Sequence, residues 1–517
     1  MNMNAIILSW CPNILSSTLE RIRSSKVGYR FAKGMFWSLT GSLISKGMGL
    51  LSSILVARMI GKSVFGELGV IQNTIGMLGT FAGFGLGLTA TKFIAEYRSA
   101  DPERAGRIRG LSSAFAWVTG TLASSVLFMF APWLAKHTLA APHLADLLRI
   151  CSLLLFLTSI NGAQTGALSG FEAFKTVARI NLWSGFANFP LMVGGVYVAG
   201  LRGAVWGMIA AAGVNWLLNH LAIRRECRIA GVPYTYKSCW EERGVLWRFS
   251  LPSVMGGVLI GPVMWGASAL LVNQPNGYAE MGVYNAVMRI KQVPELVLGM
   301  VMVPLLPILS EQFGNRSFGQ YNKTLRYAFT LSLLVLVPVS LVQIAVPDVT
   351  LMPYGKEFNG NRQVVQWLMI HSILVGLFYP FGTIVASMNR MWFGWAYNMM
   401  WSVLYFSCSY LLIPESGAKG LCIAFSIAHL VSCIFMTVYV YCKEPDYFQE
   451  LPFLRFVFIT VMAVGICFIA EKTMTPILSG SISAIIIVVY IMLLKNSLTN
   501  PSTIRTTVDA ETTVSSS

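Results

Sequence analysis

The sequence predicts an all-α polytopic membrane protein, and three observations lead to this prediction. Of 517 residues, 55% are hydrophobic and only 12% are charged. Soluble proteins carry about twice that share of charge, at ~25%. The mean hydropathy is +0.63. The apolar residues also recur in blocks of ~20, which is the length that crosses ~30 Å of hydrocarbon as a helix.

We count about 14 such blocks as membrane spans. In chain order they lie near 34–57, 67–91, 110–134, 147–169, 177–199, 203–223, 249–273, 280–309, 326–346, 364–387, 393–413, 419–441, 454–471 and 475–494. They divide the chain into a basic cytoplasmic segment (1–33), an N-lobe with spans one to six (34–230), a cytoplasmic linker (231–248), a C-lobe with spans seven to twelve (249–445), two further spans (446–495) and a disordered cytoplasmic tail (496–517).

The basic residues indicate membrane topology and argue against nucleic-acid binding. The net charge is +16, but the cations are spread through short loops between apolar blocks, as the positive-inside rule requires. Roughly 26 of the 38 Lys and Arg residues fall on the side shared with the N-terminus. That side is therefore predicted to be cytoplasmic, and the even number of spans places both termini there. The nine cysteines stand singly, without a CxxC motif, so we expect neither disulfides nor a zinc site.

The two halves of the membrane part repeat each other. Gly200–Gly203 reads GLRG and Gly417–Gly420 reads GAKG, 217 positions later, and these strings open spans six and twelve. At nearly the same offset, Gly66 before span two matches Gly282 before span eight. Six spans per repeat is an even number, so both halves enter the membrane from the same side. This predicts parallel repeats, whose substrate site lies at the interface between the lobes.

Three cations inside predicted spans are the leading candidates for substrate contacts. They are Lys46 in span one, and Arg289 and Lys291 in span eight. A cation at the bilayer centre costs ~2.5–3.5 kcal/mol, so it faces a wet cavity or a partner and marks function. The alternative for each is a structural pair with a buried carboxylate or with carbonyls at a helix end. Arg289 and Lys291 lie about 200° apart around a helix, so they cannot face the same cavity.

Weaker candidates are polar or aromatic residues within spans. An intramembrane amide more often bonds across helices than to a substrate, and tryptophans mostly suit the membrane interface. The possible substrate contacts are Gln72, Asn73, Asn161, Asn181, Trp265 and Asn398. Proline frees backbone carbonyls and kinks helices. Pro252, Pro262 and Pro294 are accordingly possible hinges, with a static bend as the alternative.

The sequence carries no sign of an enzyme or of a bound cofactor. It contains no complete G-x-x-x-x-G-K-[ST] phosphate loop and no metal-ligand cluster. The Gly83–Gly87 string, GFGLG, lies in an apolar span, so we attribute it to close helix packing and not to dinucleotide binding. If the chain moves a substrate, the energy would come from a gradient of H⁺ or Na⁺, or from downstream consumption of the product.

Several strings resemble the bacterial polysaccharide (O-antigen, Wzx-type) flippases of the multidrug/oligosaccharidyl-lipid/polysaccharide exporter superfamily. They are ILVARMIGKSVFGELGV after span one, GALSGFEAFK at Gly166–Lys175, FSLPSVMGGVLIGPVMWG in span seven, GVYNAVMRI from Gly282 and the stretch Asn389–Trp401. The similarity covers roughly residues 30–440. Spans thirteen and fourteen are a departure, because many O-antigen flippases resemble 12-span proteins.

The resemblance implies two six-helix lobes in a V around a central cationic cavity that opens alternately to each side. The implied cargo is an undecaprenyl-pyrophosphate-linked oligosaccharide, moved across the bacterial inner membrane, with other polysaccharide assembly proteins as possible partners. Two alternatives stay open: a cation-coupled multidrug exporter of the same superfamily, and a membrane glycan polymerase. Cationic intramembrane residues favour an anionic cargo over a cationic drug, and a polymerase would need a large outer loop, which is absent from the sequence.

Overall fold

A computed structural model describes residues 26–255, 257–302, 305–388, 391–443, 445 and 452–499. In this range the chain is helical, with connections that include short 3₁₀ and π turns. The helices are α1 (Lys26–Gly83), α2 (Leu86–Tyr97), α3 (Pro102–Trp133), α4 (Ala145–Gly170), α5 (Phe174–Ile229), α6 (Leu251–Met255), α7 (Ile260–Val272), α8 (Gly277–Met302), α9 (Leu305–Gly314), α10 (Phe318–Ala345), α11 (Pro347–Leu351), α12 (Arg362–Ser387), α13 (Met391–Lys443), α14 (Phe453–Thr473) and α15 (Pro476–Thr499).

The polytopic helical fold is confirmed. Within the described residues, 9 helices are long and apolar enough to cross a membrane, or up to 11 if each of two bent helix pairs is one span. Three of the nine contain a non-helical break: α1 at Gly61, α5 at Ala199 and Gly200, and α13 at Gly417. Each of these three covers two of the predicted spans. The number of 14 crossings stays a prediction.

The backbone at the two GxxG turns supports the predicted repeat. Gly200 and Gly417 have the same dihedral angles, φ 53° and ψ −133°. A positive φ is a conformation that glycine adopts without a steric cost. In the first repeat the helices on either side of the turn pack so closely that a Cβ on Gly203 would overlap the backbone of Gly195. In the second, a Cβ on Gly420 would overlap the backbone of Leu412.

The GFGLG string is a break as well as a packing motif. Helix α1 ends at Gly83 and α2 begins at Leu86, with Gly85 at φ 64° between them. Predicted span two is therefore discontinuous. The packing expected of this string is present at Gly87, since a Cβ on the facing Gly166 would lie 2.5 Å from the Gly87 Cα. The close packing agrees with the prediction from the sequence, whereas the break was not predicted.

The two spans at the start of the C-lobe are also bent. The path turns by 41° between Cys239–Met255 and Ile260–Val272, and by 41° between Gly277–Met300 and Leu305–Gly314. Pro262 lies in the first turn of α7, just after the first bend. Helix α8 runs through Pro294 and continues to Met302, so the second bend lies beyond this proline.

The two lobes meet through α1, α8 and the segment before α12. A Cβ on Gly66 would overlap the backbone of Tyr278, and one on Gly282 would overlap the backbone of Lys62. The two repeat-related glycines thus let α1 and α8 pack closely against each other. Next to them, residues 352–358 lie against α1. We call this packing of residues 352–358 on α1 the lobe contact. Arg58 donates from Nε to the Pro353 carbonyl at 2.5 Å, and Tyr354 bonds Ser53 at 3.2 Å.

The segment that connects the two lobes packs against α3 of the N-lobe. Arg109 is 1% exposed. Its guanidinium lies 3.9 Å from the ring centroid of Tyr234 and 4.8 Å from that of Tyr236, and donates to the Thr235 carbonyl at 2.6 Å. Glu242 further along forms ion pairs with Arg104 and Arg107, both at 3.2 Å.

The last two helices pack on the C-lobe through α10. Ser479 donates to the Ala345 carbonyl at 2.9 Å, and the Thr460 and Tyr490 hydroxyls join α14 to α15 at 3.1 Å. Helix α15 extends to Thr499, past the predicted tail boundary at 495, and α1 begins at Lys26, inside the predicted N-terminal segment. Residues 1–25 and 500–517 lie outside the described residues, so the domain division stays a prediction.

Candidate functional site

A polar cavity of about 810 Å³ opens between the helices of the N-lobe and reaches the lobe interface. Helices α1, α4 and α5 supply most of its wall, and α8 of the C-lobe adds Asn285 and Arg289. The wall is rich in small and amide side chains. These polar lining residues are Ser45, Ser52, Ser53, Gln72, Thr158, Asn161, Thr165, Ser169, Ser184, Asn188, Asn215, Asn285 and Arg289.

Arg289 is the one charged residue among the described residues that line this cavity. One nitrogen of its guanidinium donates to the Gln72 Oε1 on α1, so the cation is held across the lobe interface. Gln72 in turn donates from Nε2 to the Met208 sulfur at 3.4 Å. Arg289 forms no ion pair among the described residues. A guanidinium presents five donors in a fixed fork, so most of its hydrogen-bonding capacity remains for a ligand.

The cation is also close to the lobe contact. Tyr354, in the 352–358 segment, is 1% exposed, and its hydroxyl lies within electrostatic range of Arg289. The same hydroxyl bonds Ser53, which lines the cavity. An anion bound at Arg289 would therefore lie against the residues that join the two lobes.

Several cavity atoms have no hydrogen-bond partner among the described residues. They include the Asn161 Oδ1, the Asn285 Nδ2 and the Ser52 Oγ, all of them buried. An unpaired buried polar atom costs free energy, so such atoms favour a ligand or water that offers donors and acceptors. Asn285 stands at the repeat position of Gly69, and the two pack against each other. Sequence reasoning missed Asn285, although this repeat offset was available as a signal.

Two of the six weaker sequence candidates line the cavity and four do not. Gln72 and Asn161 line it, and Asn161 also donates to the Ala212 carbonyl at 3.1 Å. Asn73, Asn181 and Trp265 instead bond across helices. Their partners are Ser268 at 3.2 Å, Ser42 at 3.4 Å and Thr74 at 2.9 Å respectively. Asn398 lies in the C-lobe, where it lines two other cavities.

The other two cation candidates lie away from the Arg289 cavity. Lys46 is exposed, although its neighbour Ser45 lines the cavity. Lys291 is 2% exposed and forms an ion pair with Glu295 at 2.5 Å within the C-lobe. The expectation that Arg289 and Lys291 face different surroundings is confirmed. Glu295 itself was missed, although a carboxylate four residues after a lysine on a helix is a known pairing position.

The role of Pro252, Pro262 and Pro294 as hinges stays a prediction. The side chain of Pro252 lies outside the described residues. Pro262 lies beside the bend at the start of α7, where a hinge could act, and Pro294 lies within the unbroken part of α8.

The arrangement suits an anionic head group followed by a polar chain. The guanidinium can bind phosphate oxygens through two parallel N–H donors, and the serines, threonines and amides around it can bind hydroxyl groups. The cavity volume falls in the range of about 300–1,000 Å³ that is typical of ligand sites. Among the described residues no group of three or more His, Cys, Asp or Glu side chains could hold a metal ion.

Comparison with known proteins gives a family and a fold. A family model described as polysaccharide biosynthesis protein matches residues 31–313. The chain is 24% identical over 411 residues to the protein named lipid III flippase of Escherichia coli (strain K12), covering 77% of this chain and 95% of that protein.

Solved structures of low identity share the fold. An inward-facing multidrug resistance MATE family transporter of the MOP superfamily superposes with a TM-score of 0.66 at 14% identity, covering 78% of this chain and 96% of that one. The lipid II flippase MurJ, in an inward closed conformation, gives a TM-score of 0.63 at 13% identity, covering 88% of this chain and 97% of that one.

Proposed function

Because this chain belongs to the polysaccharide biosynthesis protein family, we propose that it flips a polyprenyl-pyrophosphate-linked oligosaccharide across the bacterial inner membrane. The cargo would be a repeat unit of O-antigen, capsule or exopolysaccharide. The chain acts as a multi-pass transporter and not as an enzyme. The naming of a relative as a lipid III flippase supports this cargo class.

One observation carries the proposal: Arg289 is the one charged residue among the described lining residues of a polar cavity at the lobe interface. Pyrophosphate needs fixed cations, and a guanidinium recognises phosphate oxygens with paired donors. In the membrane, an unpaired cation is costly, so its retention indicates a function. Arg289 therefore holds the pyrophosphate of the cargo.

The rest of the cavity suits the glycan. The Asn161 Oδ1 and the Asn285 Nδ2 offer one acceptor and one donor without partners among the described residues. Sugar hydroxyls can both donate and accept hydrogen bonds, so they can satisfy both atoms. Lys46, which is exposed and one residue from the cavity-lining Ser45, is a second cation that could attract the head group.

Alternating access follows from where the lobes touch. The lobe contact and the Gly66–Gly282 packing close the side on which α1 turns at Gly61. With both termini in the cytoplasm, this closed side is the outer one, and the cargo enters from the inner leaflet. Separation of the lobe contact then releases it outside.

The alternatives are less well supported. A cationic drug would meet a like charge at Arg289, whereas a drug exporter for cations benefits from acids in its cavity. The described lining residues include no Asp or Glu. The glycan polymerase is not supported by the comparison, because the Escherichia coli relative is named a flippase. Association with other polysaccharide assembly proteins is a further proposal, which the contacts of this single chain neither require nor oppose.

The test is a lipid extract from cells that lack the gene, analysed by mass spectrometry for polyprenyl-pyrophosphate oligosaccharides. We expect a complete repeat unit to accumulate and the wild-type chain to remove it. At equal abundance, Arg289→Gln should fail to remove it, and Arg289→Lys should do so only in part, because lysine is a point charge.

Arg149→Gln is the matched control. Arg149 is a partly exposed arginine whose ion-pair partner Asp146 is 69% exposed, and such surface pairs contribute little. Full activity of Arg289→Gln would keep the flippase and remove the proposed site. Absence of any accumulation in the deletion strain, with altered sensitivity to cationic drugs, would instead support the exporter.

A further inference from the structure

The C-lobe contains a buried cluster of titratable side chains that the proposed cargo site does not use. Its first part is the ion pair of Lys291 and Glu295 on α8, at 2.5 Å. Lys291 is 2% exposed, and its Nζ lies 5.7 Å from the ring centroid of Phe425 on α13. A charge this deeply buried in a membrane protein commonly marks an ion or proton pathway.

Two histidines from neighbouring helices form the second part. His371 on α12 is 4% exposed. Its ring stacks on Phe425 with centroids 3.9 Å apart, and lies 4.8 Å from the ring of His429 on α13. The His371 Nδ1 and the His429 Nε2 are buried and have no hydrogen-bond partner among the described residues. Each of these two nitrogens is free either to accept a proton or to donate one.

Space for water borders both rings. A cavity of about 270 Å³ is lined by His371 and His429 together with Trp401, and a second cavity of about 640 Å³ is lined by His429, Asn398 and Tyr397. Helix α7 contributes Ile260 and Met264 to the smaller cavity and no titratable group. Among the described residues, the titratable and charged groups that surround the two rings or the adjoining ion pair are Tyr284, Lys291 and Glu295 on α8, Tyr379 on α12, and Tyr397, Tyr405, Cys422 and Cys433 on α13.

We propose that His371 and His429, with the Lys291–Glu295 pair beside them, form a proton-binding site that drives rearrangement of the lobes. One proton from water adds to an unpaired ring nitrogen of the histidine pair, and the same proton later returns to water. No other bond forms or breaks. Histidine is the side chain whose protonation changes near neutral pH.

The chemistry of the cluster favours a proton over a metal cation. Among the described residues the carboxylate beside the cluster is Glu295, which Lys291 already holds, so a sodium ion would have to displace an ammonium group. Sodium also prefers oxygen ligands, and the unpaired atoms here are imidazole nitrogens. Among the described residues no cluster of three or more His, Cys, Asp or Glu side chains has metal-binding geometry.

Protonation changes the balance between lobe arrangements because the unpaired nitrogens of both rings are buried in the observed one, with the bordering cavities not reaching them. A proton on either ring would add a second positive charge beside Lys291, and the described part of the chain places no free carboxylate there to pair with it. Burying an unpaired charge is costly, so the protonated site favours an arrangement that admits water. A ligand shifts a conformational equilibrium by its differential affinity for the two states. Acid should therefore shift the chain away from the observed arrangement and open the lobe contact.

The test uses the purified full-length chain in lipid nanodiscs, without cargo, and measures hydrogen–deuterium exchange at about pH 5.5 and about pH 8, either side of the usual histidine range. Labelling times are scaled for the intrinsic effect of pH on exchange. We expect peptides from residues 50–66 and 350–360 to exchange about fivefold faster or more in acid, the lower end of usual coupling strengths. The double variant His371→Gln/His429→Gln should lose this response and keep the wild-type exchange at the higher pH.

His143→Gln is the matched control, because His143 lies on the same side as the lobe contact and pairs with Glu67 at 3.0 Å. It should keep the full response. If His143→Gln abolishes the response, or the wild type has none, or the double variant retains it, the proposal is wrong. Should the double variant fail to fold, Lys291→Gln/Glu295→Gln serves instead, since it keeps both rings and removes the fixed charges. Its response should be smaller than that of the wild type, and an unchanged response would overturn the proposal.

This inference takes from the proposed function only that the lobes rearrange. Because the measurement contains no cargo, its outcome is separate from the lipid analysis. A chain that flips the cargo but shows no acid response would refute the proton site alone. A chain that responds to acid but clears no lipid-linked oligosaccharide would refute the cargo alone.

Discussion

The packing of Gly66 on α8 gives the sharpest prediction about how the lobes are held together. A Cβ at position 66 would lie 2.9 Å from the Tyr278 carbonyl carbon and 3.0 Å from the Gly282 nitrogen. Carbon atoms in good contact are about 3.5–4.0 Å apart. All of these neighbours are backbone atoms, so no side chain can rotate away. The same Cβ would also overlap the Tyr278 carbonyl oxygen, so Gly66→Ala forces α1 and α8 apart by about 1 Å or more.

The free-energy cost should be that of overpacking a tight interface, about 1–3 kcal/mol. Because the two helices belong to different lobes, the chain can relieve the strain by separating them without unfolding. A penalty of this size corresponds to a shift of about 5- to 150-fold in the equilibrium between closed and open lobe contact. Gly66→Ala should thus depopulate the observed arrangement.

Hydrogen–deuterium exchange of residues 350–360 in the full-length chain measures this shift directly, and clearance of the lipid-linked oligosaccharide in cells measures its consequence. Gly76→Ala is the control: it lies on the same helix, and a Cβ there would meet nothing within 4 Å. Alanine is the better helix former by up to about 1 kcal/mol, so this variant should match or exceed the wild type in stability. If Gly66→Ala behaves like Gly76→Ala in exchange at the lobe contact, the packing argument is refuted.

Three further predictions concern the buried and surface charges. Arg109→Met should cost about 1–3 kcal/mol, because it leaves the Thr235 carbonyl without its donor, and limited proteolysis should then cut the linker near residues 233–243 faster than in the wild type. Glu242→Gln should change the linker less, by about 1 kcal/mol, since the glutamine oxygen can still accept hydrogen bonds from Arg104 and Arg107 in place of the partly buried ion pairs; equal proteolysis of the two variants would contradict the assignment of Arg109 as the anchor. Glu295→Gln should destabilise the chain by about 3–5 kcal/mol by leaving Lys291 buried without a counter-charge, and adding Lys291→Met should restore much of the thermal unfolding midpoint. Failure of that second substitution to rescue would show that Glu295 has another essential partner.

Much of the fold could be predicted because it depends on local composition. Apolar blocks of membrane-spanning length indicate helices wherever they occur. The GLRG and GAKG strings located two turns that the structure builds with the same φ and ψ, because both need a glycine at positive φ. The break at Gly85 was missed because a short glycine string inside an apolar span is compatible with both packing and a turn. Only the neighbouring helices decide between them.

The candidate site was predicted in part. Arg289 was predicted as a substrate contact because a cation inside the bilayer is costly unless a partner or a wet cavity stabilises it. It does line the interface cavity. Lys291 met the same criterion, but it is stabilised by its ion pair with Glu295 and not by the cavity. Periodicity placed the two cations on different faces of one helix, yet it could not say which face met the cavity. That depends on how α8 is rotated against α1.

The sequence by itself determined that this chain is a helical membrane protein with cations inside its spans, and it predicts two repeated halves. These properties follow from length, apolarity and spacing, which act within one segment at a time. The tertiary structure alone decided that Arg289 reaches across to Gln72 at the lobe interface, and that Asn285 lies on the same wall. It alone brought Lys291, His371 and His429 to one buried cluster around Phe425. These contacts between side chains depend on how distant helices are rotated and packed. The rotation and packing result from the sum of many contacts between segments far apart in the chain.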